Sequence, residues 1–217
     1  MILNSLSFMS RNIVFKLLSL CGRLLFPIYK VIRFIPKYTR ILNSQIVKYS
    51  LSKPYPRVLF LGRKVNIVGP KSIVLGNRVK IDSYSTISTW HSKKYNPLLQ
   101  IGDCTEIGAF AHITCINKVS IGRNVLIGKF VTITDNSHGG NTFAELDVPP
   151  SKRELYSKGE VAIDDNVWIG DKVTVLPNIK IGKGAIIGAN SVVTRDIPPF
   201  VIACGNPLRI INIQKYE

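Results

Sequence analysis

The chain has 217 residues, of which 46% are hydrophobic and 19% charged, so a wholly disordered protein is excluded and one sizeable core is within reach. Lys and Arg number 29 against 13 Asp and Glu, and the net charge of +16 invites an anionic partner: nucleic acid, a membrane surface or a phosphorylated ligand. The four cysteines, Cys21, Cys104, Cys115 and Cys204, form no C-x-x-C pair, which speaks against a zinc ribbon or disulfide framework and for small apolar packing in a reducing, cytoplasmic setting.

The charge is uneven. No acidic residue precedes Asp82, and 15 of the 29 Lys and Arg fall before it, so the rest of the chain holds 14 basic and 13 acidic side chains. The N-terminal part is basic and the body nearly neutral, so two regions with different tasks are expected. Within the first region Lys16, Arg23, Lys30 and Lys37 recur every seven residues and fall on one helical face, with Leu, Ile and Phe filling the rest. The charges are too many for a membrane span of about 20 apolar residues. The pattern predicts a basic amphipathic helical extension, divided at Pro27 and Pro36, lying in a membrane interface. Residues 11–40 would then make peripheral contact with the anionic headgroups of a membrane surface. The alternative is a helix packed on the protein's own body or on a neighbouring subunit. Nucleic acid is not expected, because the apolar residues are too many and too aliphatic for a solvated arm.

From about residue 65 an internal period takes over. Ile163, Ile169, Val175, Ile181, Ile187 and Val193 stand six residues apart, and Val161, Val167, Val173, Ile179, Ala185 and Ser191 each precede one of them by two. An earlier block runs Ile101, Ile107, Ile113 and, after a two-residue offset, Ile121, Ile127 and Ile133; a weaker one runs Leu75, Ile81, Ile87. A period of six suits neither an α-helix nor a long strand. It suits short strands that alternate in and out and end in a turn, with both repeated apolar positions facing inward. Glycine after the β-branched residue is expected to supply the turn dihedrals. Three such sides close an 18-residue triangular coil, and coils stacked about 4.8 Å apart bury their apolar rows only against one another.

These repeats resemble the bacterial hexapeptide-repeat acyltransferases, and the resemblance is most specific over residues 161–212. There the run NVWIG, the segment GANSVVTRDIPP and the ending GNPLRII are similar to the sugar and antibiotic O-acetyltransferase branch, including polysaccharide O-acetyltransferases. The resemblance implies an all-β, left-handed parallel β-helix of hexapeptide repeats with a short C-terminal cap. It also implies a homotrimer with active sites between subunits and acetyl-coenzyme A as co-substrate. The expected organisation is an extension over 1–60, the β-helix over 61–212 with an inserted loop at about 135–160, and a tail over 213–217.

The repeat breaks after Ile133 and resumes at Val161, and a long loop leaving a regular solenoid is often functional. His138 stands near its start, where the family carries its general base. An acceptor hydroxyl needs such a base to lose its proton as it attacks a thioester, and imidazole titrates near neutral pH. Asp135, Glu145, Asp147 and Glu154 lie in or beside the loop, and one of them could orient the imidazole. Asp135 and His112 are the candidate acceptor-binding residues; His112 lies in AFAHITC, where related acetyltransferases carry an asparagine near the acceptor. The resemblance places coenzyme A along Trp168, Gly170, Asp171, Ala189, Thr194, Arg195 and Arg209. Trp168 alternates with inward Val167 and Ile169 and should face outward, towards a ligand or another subunit. A three-histidine zinc site would need an H-x-x-x-x-H pair, whereas His91, His112 and His138 are spaced far more widely, so no metal is expected.

Three functions remain in play. The first is O-acetyl transfer to a sugar hydroxyl, with a saccharide precursor of a surface polysaccharide as the natural acceptor for a protein at the membrane. The second is N-acetyl transfer to an amino sugar. The third is a non-catalytic β-helix scaffold.

Overall fold

The computed structural model describes residues 38–140 and 142–213. The chain divides into two units, residues 1–42 and 43–217. The described part of the first, residues 38–42, is helical. The expected interfacial helix, its basic stripe and its membrane contact otherwise fall outside the described residues, as do Cys21 and the tail beyond 213. Among the described residues no helix is long and apolar enough to cross a membrane.

The second unit is a left-handed parallel β-helix of three sheets. The first sheet runs from Leu59–Leu61 through Val79–Ile81, Glu106–Ile107, Leu126–Ile127, Trp168–Ile169 and Ile186–Ile187 to Val201–Cys204, and Arg209–Ile213 closes it antiparallel. The second stacks Asn66–Val68, Thr86–Thr89, His112–Cys115, Thr132–Thr134, Thr174–Val175 and Val192–Val193. The third stacks Ile73–Leu75, Leu98–Ile101, Lys118–Ile121, Val161–Ile163 and Ile179–Ile181. The chain visits the sheets in that order once per coil, so each interior strand pairs with the strand one coil before and one coil after it.

The inward rows are those the period predicts. Ile163, Ile169, Val175, Ile181, Ile187 and Val193 are all buried, as are Val161, Val167, Val173, Ile179, Ala185 and Ser191 two positions earlier. Each large aliphatic residue so buried contributes about 1.5–3 kcal/mol relative to exposure. Solenoids need covered ends. At the N-terminal end Ser44 and Leu51 are buried, Val47 packs on the core, and the Ser44 hydroxyl accepts a hydrogen bond from the Leu61 amide. At the other end Leu208 is buried ahead of the antiparallel strand, which forms the expected cap.

The repeated glycines serve a different purpose from the one expected of them. Left-handed backbone falls two positions later in the repeat, on Cys104, Phe110, Asn124, Phe130, Asn166, Lys172 and Asn190, with φ between 54° and 60°. The glycine itself is needed because the next coil passes too close: a Cβ on Gly102 or Gly108 would stand 2.6 Å from the carbonyl carbon of Gly122 or Gly128. Asparagine is the side chain best tolerated at the left-handed position. At three successive coils the aromatic residues Tyr84, Phe110 and Phe130 take it instead and stack, with centroids 5.1 and 4.8 Å apart. Cys115 is the small apolar core residue expected of the cysteines. Cys104 is not: it occupies an exposed left-handed corner.

Four insertions interrupt the period, and all lie at the corner leading from the second sheet to the third. One is the two-residue offset between Ile67 and Leu75 at the turn Pro70–Ser72. Another spans residues 90–97, between Thr86–Thr89 and Leu98–Ile101. The next is the pair Ile116–Asn117, which accounts for the two-residue offset in the sequence. The last is the loop 135–160, between Thr132–Thr134 and Val161–Ile163. One corner of the prism therefore carries every insertion into the body of the β-helix.

Candidate active site

Asp135 leads the chain out of the β-helix. It is fully buried, and its carboxylate accepts hydrogen bonds from the Ile116 amide at 2.9 Å, the Asn117 amide at 2.8 Å and the Asn136 side chain at 2.9 Å. The carboxylate thus satisfies two backbone donors that the corner pair would otherwise leave orphaned. It also lies against Cys115, whose thiol is pushed well above its ordinary range by burial first and by Asp135 second. Asp135 faces into the corner and does not line the cavity beside His138. Its place is that of an anchor for the loop, not of a residue in reach of an acceptor.

Beyond Asp135 the loop folds back on itself. Ser137–His138 pairs antiparallel with Leu155–Tyr156, Ser137 opposite Tyr156 and His138 opposite Leu155. Gly139 follows at φ 79°, donates its amide to the Glu154 carbonyl, and has Arg153 so close that a Cβ would stand 2.8 Å from the arginine Cδ. A short helix, Phe143–Leu146, begins with a capping box in which Thr142 and Glu145 exchange hydrogen bonds. The Glu145 carboxyl is held below the usual carboxylate range by the amide of Gly140 and then by Thr142. It therefore stays ionised wherever an imidazole base is neutral.

These segments enclose a cavity of about 640 Å³ lined by His138, Lys94, Glu145, Tyr156 and Lys158 among others, a size that fits a small ligand. His138 is exposed on it. None of Asp135, Glu145, Asp147 and Glu154 hydrogen-bonds its ring: Glu145 is turned towards Gly140 and Thr142, and Asp135 into the corner. The other wall comes from residues 90–97. Tyr95 Oη accepts from the Ser157 amide at 3.2 Å, tying this insertion to the loop. The sequence reading missed Lys94, Tyr95, Tyr156 and Lys158. A signal was available, since the step from inward Ile87 to inward Ile101 is not a multiple of six.

His112 and the positions expected to hold the coenzyme lie elsewhere. His112 is exposed on the outer face of the second sheet, in register with Thr86 and Thr132. Trp168 is 51% exposed on the first sheet and sits beside Leu126 over a shallow cavity of about 270 Å³. Gly170 and Asp171 turn the corner from the first sheet to the second. Ala189 lies directly beyond them, so that a Cβ on Gly170 would meet its amide at 2.7 Å. Asp171 accepts from the Lys129 amide at 2.8 Å and so also locks that corner. Thr194 and Arg195 are exposed just past the second-sheet strand Val192–Val193, with the Arg195 guanidinium donating to the Leu208 carbonyl at 3.3 Å; Arg209 is exposed on the closing strand. The structure brings Trp168, Gly170, Asp171 and Ala189 together as one open shelf. It does not bring them to His138, whose cavity contains none of them.

His91 is tied to Ser72, its Nε2 2.8 Å from the hydroxyl. A larger groove of about 830 Å³ lies on the third sheet, reaching from Tyr55 and Arg57 to Asp103 and Asp165. Asp103 accepts from the Asn77 amide and Asp165 from Arg123, so these two carboxylates pin neighbouring coils.

A family model for bacterial transferase hexapeptide (six repeats) matches residues 160–195. The putative lipopolysaccharide biosynthesis O-acetyl transferase WbbJ of Escherichia coli K12 is 40% identical over 119 residues, 53% of this chain and 60% of that protein. A putative acetyltransferase of Saccharomyces cerevisiae is 33% identical over 160 residues, 62% of this chain and 79% of that protein. The chain spans about half the length of several curated relatives it matches. Among solved structures, the N-acyltransferase AntD from Bacillus cereus superposes with a TM-score of 0.62 at 22% identity, over 74% of this chain and 82% of that one. That likeness speaks to the fold.

Proposed function

Because the chain belongs to the hexapeptide-repeat acetyltransferase family, we propose that it moves an acetyl group from acetyl-coenzyme A to a sugar hydroxyl, with His138 as general base. The acceptor is a saccharide precursor of a surface polysaccharide. The observation that carries the reading is the exposed His138 imidazole on a cavity of about 640 Å³, built by a loop that leaves the β-helix at one fixed corner. The relative named for lipopolysaccharide O-acetylation supports the saccharide.

In the reaction an imidazole nitrogen takes the proton of the acceptor hydroxyl as its oxygen attacks the thioester carbonyl. The new C–O bond forms, the C–S bond breaks, and the same imidazole returns the proton to the leaving thiolate. The Trp168–Ala189 shelf is the coenzyme surface, with Arg195 and Arg209 towards its phosphates. Shelf and histidine lie on different corners of one chain. A homotrimer, in which the shelf of one subunit faces the loop of the next, completes the site.

Calorimetry on the full chain tests the coenzyme. We expect saturable coenzyme A binding near one site per chain, and a folded protein that binds none would turn the reading to a scaffold. Alkaline lability of the acetylated product separates the ester from the amide of an N-acetyltransferase. The membrane role of residues 11–40 has its own test. The cut belongs before residue 43, because Ser44, Val47 and Leu51 cover the end of the core. Protein lacking residues 1–42 should stay folded and release from anionic vesicles; unchanged vesicle binding would refute membrane contact.

A further inference from the structure

We propose that the acceptor in the His138 cavity is an anionic saccharide, bearing a carboxylate or phosphate beside the hydroxyl that is acetylated, and that Lys94 and Lys158 read its charge. The proposal rests on the acyltransferase function above and names the class of its acceptor.

The cavity holds two lysines against a single carboxylate, Glu145. That carboxylate is already committed: Oε1 accepts from the Gly140 amide at 3.0 Å, and Oε2 from the Thr142 hydroxyl at 2.8 Å and its amide at 3.3 Å. Neither lysine has an ionic partner among the described residues, where the pairs are Lys80 with Glu106, Lys118 with Glu160 and Arg123 with Asp165. Glu160, the acid nearest to Lys158 in sequence, is thus held by Lys118 at 2.8 Å. Two ammonium groups against one carboxylate leave the cavity with a net positive charge, and a concave site with an excess of one sign concentrates ligands of the other.

Lys94 is also placed, which distinguishes it from a solvated surface lysine. Its ammonium lies 5.4 Å from the centroid of Tyr95 and 5.5 Å from that of Tyr156. Tyr95 is tied to the backbone of Ser157, and Tyr156 pairs with Ser137, the residue before His138. The insertion at 90–97 carries this ammonium from the coil of Thr86–Thr89 past the intervening coil of His112–Cys115 to the histidine loop. Two aromatic faces hold a cation by its charge and leave its N–H groups free for an anion. An ammonium meets a carboxylate or a phosphate as a point charge, without the planar fork of arginine, so both anions fit. A neutral sugar gains nothing from it.

The test measures acetyl transfer by the full chain to three acceptors built on one hexose: the neutral methyl glycoside, the corresponding uronic acid glycoside and the hexose phosphate. We expect kcat/KM about tenfold higher for a charged acceptor, in line with two partly exposed ion pairs, and the advantage should shrink as salt is raised. Preference for the uronic acid assigns a carboxylate sugar, and preference for the phosphate assigns a phosphate-linked one. Lys94→Gln together with Lys158→Gln should bring charged and neutral acceptors to within about twofold, with coenzyme A affinity unchanged. The double Lys→Arg variant should keep most of the preference. A probe independent of the hexose is the shift of the His138 ring resonances on adding glucuronate or inorganic phosphate, present in the wild type and absent in the double Gln variant. Equal kcat/KM for neutral and charged acceptors, a preference that survives the double Gln change, or no response of His138 to either anion would each overturn the proposal while acetyl transfer or coenzyme A binding still stands. Loss of coenzyme A binding in the wild type would instead remove the acyltransferase reading, and the acceptor class with it.

Discussion

Replacing His138 by alanine should lower the turnover of acetyl transfer by about 100-fold or more, the usual contribution of a positioned base, and leave coenzyme A affinity unchanged. The separation follows from geometry: His138 lies at the corner between the second and third sheets, whereas the Trp168 shelf lies along the first sheet and its corner with the second. Folding should also be indifferent, because the ring is exposed and carries no hydrogen bond to a described acidic side chain. His138→Gln should fail as His138→Ala does, since an amide fills the space without titrating. Steady-state kinetics with a saturating acceptor, paired with calorimetry, reads both quantities. Near-normal turnover in His138→Ala would remove the base from the mechanism. Loss of coenzyme A binding would instead mean that the imidazole shapes the coenzyme site.

Asp135→Ala should produce the largest loss of stability among polar substitutions in the loop, about 3 kcal/mol. The carboxylate is fully buried and takes three N–H donors, two of them backbone amides at Ile116 and Asn117. Hydrogen bonds to a charged group contribute about 1.5–3 kcal/mol, and an orphaned buried amide adds its own desolvation. Asp135→Asn should rescue little. Only one of its two terminal atoms accepts, so its NH₂ would confront a backbone N–H. Denaturant unfolding measures the loss, and a midpoint within error of wild type for Asp135→Asn would show that the charge is dispensable. Asp135 is three residues before His138, so both variants should also lower kcat with little change in coenzyme A affinity. An unchanged acceptor KM beside the lower kcat marks a positioning residue and separates it from a side chain that binds the acceptor.

The two substitutions probe different levels of what the sequence discloses. The inward rows from Leu75 to Val193 are legible without any structure, because a parallel solenoid repeats one local environment and therefore one local pattern. The loop after Ile133 and its histidine stand out for the same reason, as an interruption of a period. The coenzyme positions from Trp168 to Arg209 were reached through motif resemblance, and the structure arranges only part of them as one surface. Composition and spacing give no sign that Asp135 would be buried. Its partners at Ile116 and Asn117 belong to the previous coil, and only stacking brings them within hydrogen-bond reach.

Short-range order along the chain is enough to set the repeat unit, its two inward positions, the interruption between Ile133 and Val161 and the basic character of the chain before Asp82. Stacking of the coils settles the rest. It puts every insertion on one corner and lets Lys94 reach His138 across a whole coil. It makes the repeated glycines necessary for close approach and not for their dihedrals, and it stands His138 and the Trp168 shelf on different corners. Those facts depend on which side of the prism each hexapeptide occupies. The local pattern is the same on all three sides, so the number of residues between coils, and the contacts that result, supply the information the pattern lacks.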